Sequence, residues 1–126
     1  MTKLLQVYKC AVCGNIVEVI FAGVGELVCC KQPMELLKEN SLDASLEKHV
    51  PVFEQKGDNL IVKVGSVPHP MEEKHYIKFI EVETSSQIIR AELKPGQAPE
   101  AVFQIKKEEV RLVREFCTVH MLWKNN

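Results

Sequence analysis

Apolar and polar residues alternate along this chain in short runs broken by turn formers, a pattern that predicts strands. Near the start, Leu4-Leu5-Gln6-Val7-Tyr8 alternates weakly and leads into Cys10-Ala11-Val12-Cys13-Gly14. Asn15 to Ile20 reads as a β-branched strand, Gly23 and Gly25 mark a turn, and Leu27-Val28-Cys29-Cys30 follows. Further on, the strand-like runs are Val50–Glu54, Leu60–Val64, His75–Val82, Gln87–Leu93 and Ala101–Ile105. Gly57-Asp58-Asn59 and Lys94-Pro95-Gly96-Gln97 punctuate them as turns. Lys107 to Phe116 fits two periods. Val110, Leu112 and Phe116 match a strand, whereas Val110, Val113 and Cys117 match a helix. Strand neighbours favour strand there.

The pattern divides the chain of 126 residues into a small head, residues 1–36, and a β-rich body, residues 37–126. Six or seven short strands in the body predict a β-sandwich. The head is too short to fold on buried apolar surface alone, so a metal would supply the missing free energy.

Composition narrows the function. A net charge of −1 and no basic stripe argue against a nucleic-acid partner. No apolar run approaches the ~20 residues that span a bilayer. Met1 to Val7 lacks the apolar core of a signal peptide, which predicts a reducing cytoplasm. There, cysteines bind metal or react more often than they pair as disulfides.

Four of the five cysteines lie in the head. Cys10-x-x-Cys13 with Cys29-Cys30 supplies four thiolates, the count for a tetrahedral zinc or iron site. Gly14 suits a knuckle whose N–H groups turn toward sulfur. Adjacent side chains in an extended segment point apart, so Cys29 and Cys30 can share a metal only where the backbone bends.

The second constellation is in the body. Cys117-Thr118-Val119-His120 places a thiol and an imidazole in one tight turn, and His49, His69 and His75 lie upstream. Pro68 and Pro70 flank His69 and stiffen its backbone. Five ligands exceed the four that zinc prefers, whereas four imidazoles and one thiolate suit iron. A square pyramid with axial sulfur would leave one position open, and a ferrous ion with one thiolate, net +1, would favour a small anion there. The competing reading takes Cys117, His120, Met121 and one further histidine as a blue-copper electron carrier with a structural zinc head. That site would leave two histidines idle.

These residues together resemble the desulfoferrodoxins, the two-iron class of superoxide reductases, over nearly the whole length. The head motifs resemble desulforedoxin. Glu47-Lys48-His49-Val50-Pro51, His69-Pro70 with His75, Lys94 to Ala101, and Cys117-x-x-His120 with Trp123 resemble the rest of the family. The resemblance implies a desulforedoxin-like head with an Fe(Cys)4 centre on Cys10, Cys13, Cys29 and Cys30. It implies an immunoglobulin-like sandwich whose iron is bound by His49, His69, His75, His120 and Cys117. It also implies a homodimer, an external electron donor such as rubredoxin, and reduction of superoxide to hydrogen peroxide without oxygen release. Lys48 is the candidate for attracting the anion and ordering a proton-delivering water. Glu47 is the candidate sixth ligand of the oxidised iron. The chain departs from the family's usual pattern at Thr118, commonly Asn, and at Met121, commonly Gly.

Overall fold

The computed structural model describes residues 1–41 and 49–125. It forms two compact units, Met1–Lys38 and Glu39–Asn126. Among the described residues the regular structure is strand, apart from one short 3-10 turn.

In the first unit, β1 (Val7–Lys9) pairs antiparallel with β2 (Ile16–Glu18) and, on its other edge, with β5 (Glu35–Leu36). Between them, β3 (Val28–Cys29) and β4 (Gln32–Pro33) form a hairpin. Its two-residue loop is Cys30-Lys31, with φ of +52° and +66°. Positive φ at both loop residues matches the right-handed twist of the flanking strands. Few side chains here are fully buried; Val7 and Cys10, each 1% exposed, are the main ones.

The second unit is a sandwich of two antiparallel sheets. One runs β10 (Glu100–Phe103), β7 (Asn59–Val64), β6 (Pro51–Lys56). The other runs β12 (Met121–Lys124), β11 (Leu112–Cys117), β8 (Ile77–Glu83), β9 (Ile88–Glu92). Leu60, Val62 and Val64 from the first sheet share one core with Ile77, Ile80, Val82, Val113 and Cys117 from the second. Burying each such side chain contributes about 1.5–3 kcal/mol.

Two sequence expectations change. Lys107–Glu109 is a 3-10 turn, and the strand begins only at Leu112. Its buried inner set is Val113, Glu115 and Cys117, all three at 0% exposure. A carboxylate in that row masks the alternation, which is why Val113 and Cys117 imitate a helical spacing. The second change is β12, which follows the Cys117–His120 turn so closely that its four residues show no period of their own.

Turns anchor the loops that carry histidines. The Lys94–Gln97 turn closes with Gln97 N–H donating to Lys94 C=O at 3.1 Å, and Gly96 takes φ +90°. Gly96 N–H then donates to Met71 C=O at 2.9 Å, which ties that turn to the His69–His75 loop.

On the outer face of the larger sheet, Arg114 donates from Nε to Glu81 Oε1 at 3.1 Å and from Nη1 to Glu39 Oε2 at 3.2 Å. Glu81 and Arg114 are both 3% exposed, beside a Phe79–Phe116 stack at 5.8 Å. Removing one partner of such a pair strands the other charge away from water. Arg114→Leu should therefore cost the metal-free protein about 3–5 kcal/mol. Urea unfolding followed by the fluorescence of Trp123, the single tryptophan, measures it. A loss under about 1 kcal/mol, the range of exposed pairs, would refute it.

Candidate metal centre

Each body donor is fixed by its own local geometry. His49 leads into β6 and is 4% exposed. His69 is 3% exposed, and its N–H donates to Val64 C=O at 3.1 Å, folding the loop back on the end of β7. His69 Nδ1 lies 2.6 Å from Pro70 C=O. A carbonyl can only accept, so Nδ1 carries the proton and Nε2 keeps a free lone pair. Burial lowers the pKa of His69 to about 4, so the ring is neutral at physiological pH. His75 is held by reciprocal backbone bonds with Glu72, at 2.9 and 3.1 Å. Cys117 closes β11 at 0% exposure, and His120 stands three residues on, at the mouth of β12.

The four imidazoles form a closed circuit. Ring centroids lie 4.9 Å apart for His49–His69, 4.8 Å for His69–His75, 5.3 Å for His75–His120 and 4.5 Å for His120–His49. Each neighbour meets the next edge to face. Cys117 Sγ lies 3.4 Å from His69 Nε2 and 3.8 Å from His120 Nδ1. One donor atom from each of the five residues falls within 4.8 Å of all the others. His49 Nε2 and His120 Nδ1 are 2.9 Å apart. Two nitrogens at right angles on one ion, each about 2.1 Å from it, would stand about 3.0 Å apart. His75 Nε2 is buried and makes no hydrogen bond among the described residues. An imidazole nitrogen left dry in that way is costly unless something accepts its lone pair. The donor chemistry and the spacing therefore fit a bound metal ion.

The thiol sits in a field of opposing influences. Burial pushes the Cys117 pKa up, the N–H groups of His120 and Val119 pull it down, and the charge of Glu115 adds to the rise. The His120 N–H reaches Sγ at 3.4 Å. A cation beside the sulfur would decide the balance in favour of thiolate. Around the ring, Trp123 stacks on His49 at 4.6 Å and 17°. Its Nε1–H donates to His120 C=O at 2.9 Å, so one indole braces two histidines. The cluster reaches solvent at His120, which is exposed, next to Val119 at 48%.

The four head cysteines also converge, with sulfurs within 4.8 Å of one another. Cys13 and Cys29 sulfurs are 3.6 Å apart, and Cys29 and Cys30 sulfurs 4.0 Å. A tetrahedron with metal–sulfur bonds of about 2.3 Å has edges of about 3.8 Å. The bend required at Cys29-Cys30 is the left-handed conformation of Cys30. In the knuckle, Gly14 takes φ +84° and Cys13 N–H donates to Cys10 Sγ at 3.4 Å. That amide bond leads the lowering of the Cys10 pKa to about 6, whereas hydrogen bonding among the crowded thiols, led by Cys13, pushes Cys30 up to about 12.

Every histidine and cysteine singled out in the sequence thus lies in one of two clusters. Glu47 and Lys48 lie outside the described residues. The sequence offered no signal for the Pro70 carbonyl that sets the His69 tautomer, nor for the place of Glu115 near the sulfur.

Met121 adopts φ +68°, a left-handed conformation that glycine takes freely and branched side chains resist. Met121→Val should destabilise the metal-free body by about 1–3 kcal/mol, and Met121→Gly should cost nothing comparable. Trp123 fluorescence during urea unfolding separates the two; equal losses would show that side-chain packing, not backbone conformation, governs this position.

Comparison with known proteins finds matches along both units. Residues 2–37 match the family described as the desulfoferrodoxin N-terminal domain, and residues 41–126 match the family described as desulfoferrodoxin. A desulfoferrodoxin of Desulfarculus baarsii is 57% identical over 124 residues, covering 98% of each chain. One of Syntrophotalea carbinolica is 54% identical over 125 residues, covering 99% of this chain and 98% of its own. Among solved structures, the superoxide reductase from Treponema pallidum superposes with a TM-score of 0.79 at 30% identity, over 97% of this chain and 98% of its own. Two iron-type donor clusters on this two-unit β framework, matched along both units, place the chain in the desulfoferrodoxin family.

Proposed function

We propose that this protein is a superoxide reductase, carrying out the one-electron reduction of superoxide to hydrogen peroxide without release of oxygen. The observation that carries this reading is the closed circuit of four imidazoles with one buried thiol beside it and an exposed edge at His120. His49, His69, His75, His120 and Cys117 would hold one iron, and Cys10, Cys13, Cys29 and Cys30 a second. Ferrous iron in the body site would supply the electron and a position for a small anion.

The chain's own residues set the conditions for that chemistry. His69 offers Nε2 because Pro70 fixes the proton on Nδ1. The buried position of Cys117 keeps water from its sulfur, so its charge is directed at the site rather than spent on solvent. Access at the exposed His120 and half-buried His75 would admit a diatomic anion, while His49, His69 and Cys117 are buried. A blue-copper carrier would use two histidines, yet all four of this chain's histidines belong to the circuit.

Lys48, next in sequence to His49, is the residue we assign to attracting superoxide and to ordering a water that delivers protons. Glu47 is assigned to the oxidised site as a sixth ligand. The family resemblance supports both roles. The four-thiolate head site has no open position, and we assign it to electron transfer or to holding the head fold. An external one-electron donor such as rubredoxin completes turnover. A second copy of the chain is the proposed partner, supported by Ile20, Phe21 and Val24 of the head, each more than four-fifths exposed. Five cysteines, none of them in a disulfide, suit a reducing cytoplasm.

Elemental analysis of protein from its native source should give two irons per chain. The reduced protein should consume superoxide with no oxygen evolved; zinc alone, or oxygen evolution, would refute the assignment. Lys48→Ile should slow the reaction with superoxide about tenfold or more and flatten its dependence on ionic strength. Rapid mixing at several salt concentrations measures this, and an unchanged rate and salt slope would remove Lys48 from steering.

A further inference from the structure

Where β11 meets β8, the ladder is irregular. Phe116 pairs with Phe79, but Cys117 pairs with Ile77, so a bulge falls between Phe116 and Cys117. The next residue, Thr118, takes up both backbone groups of Tyr76. Its N–H donates to Tyr76 C=O at 3.0 Å, and its Oγ1 accepts from Tyr76 N–H at 3.1 Å. The same hydroxyl faces Lys74 C=O at 3.5 Å, a long contact in which the hydroxyl is the donor. Lys74 and Tyr76 are the residues on either side of His75.

We propose that the Thr118 hydroxyl is a positioning group that fixes His75 relative to Cys117 and His120. This rests on the assignment of those residues as ligands of one metal. The local logic is specific. Past the bulge, β11 turns away from β8 into the Cys117–His120 turn, and regular pairing ends. Tyr76 N–H would then lose its acceptor, and a side-chain oxygen two atoms beyond the backbone reaches it instead. Glu72 holds the backbone of His75 itself, but Glu72 lies on the same loop. Among the hydrogen bonds found at residues 74–76, those to Thr118 are the ones that reach the turn carrying Cys117 and His120. Without the hydroxyl, one backbone bond joins the two ligand-bearing segments there. His75 Nε2 is buried and makes no hydrogen bond among the described residues, so its direction depends on the backbone beneath it.

Thr118 is a positioning residue and touches no reacting atom, so metal affinity is the readout. The full-length metal-free protein is titrated with cobalt(II) against a competing chelator, following the absorption of the body site. The four-thiolate head site, with its own bands, is the internal control. Thr118→Val keeps the shape and removes the hydroxyl; it should lower cobalt affinity at the body site about 10–100-fold and leave the head unchanged. Thr118→Ser keeps the hydroxyl and should bind within about threefold of wild type, less than the loss of a typical hydrogen bond would give. If the Val variant does not fold, Thr118→Ala against Thr118→Ser gives the same comparison. Wild-type affinity in the variants lacking the hydroxyl, or a Ser variant as weak as they are, overturns the proposal. If the wild-type body site itself takes up no cobalt, the ligand assignment fails and the proposal with it, an outcome distinct from the other two.

Discussion

The antiparallel pairing of β11 with β8 is the constraint on which the body site depends. Six register positions run from Leu112↔Glu83 to Cys117↔Ile77, and the last is displaced by a bulge. Pairing at Cys117 brings the segment carrying His75 beside the thiol, and the turn that follows adds His120. The remaining histidines arrive from the facing sheet, His49 just before β6 and His69 pinned to the end of β7. A slip of one residue along the β8–β11 ladder would turn Cys117 outward and Phe116 inward. The Glu81–Arg114 pair, directly opposed in that ladder, and the Phe79–Phe116 stack both penalise such a slip.

The two centres are organised differently. In the head, the four thiols come from two local turns, a knuckle at Cys10–Gly14 and a hairpin loop at Cys30-Lys31, with short strands between. Left-handed φ at Cys30 and Lys31 costs roughly 1–2 kcal/mol each. So small a unit offsets that cost poorly by packing, and metal–thiolate bonding is the natural source of compensation. In the body the packed core comes first. Its side chains hold the donors in place, and the site inherits their rigidity.

The burial of Cys117 matters as much as its position. A dry sulfur interacts strongly with a neighbouring cation, and neutral imidazoles add ligation without adding charge. Trp123 completes the wall by covering His49 and holding the His120 carbonyl. Among the five donors His120 is exposed and His75 half-buried, while His49, His69 and Cys117 are buried, so solvent meets the circuit at its His75–His120 edge.

The residue types and local turns fixed the donor inventory. Cys10-x-x-Cys13-Gly14, the Cys29-Cys30 pair, the proline-flanked His69 and the Cys117–His120 turn were legible because each depends on neighbours within a few residues. The strand from Leu112 was half legible, since Glu115 interrupts its apolar row, and β12 was not legible at all. Three things were decided only by tertiary structure: the bulge beside Cys117, the His69 tautomer set by Pro70, and the hydroxyl of Thr118 bridging to Tyr76. Each depends on register between segments far apart in the chain or on the pose of a packed loop. Local propensity carries no information about such pairings, because they are selected by the free energy of the whole core.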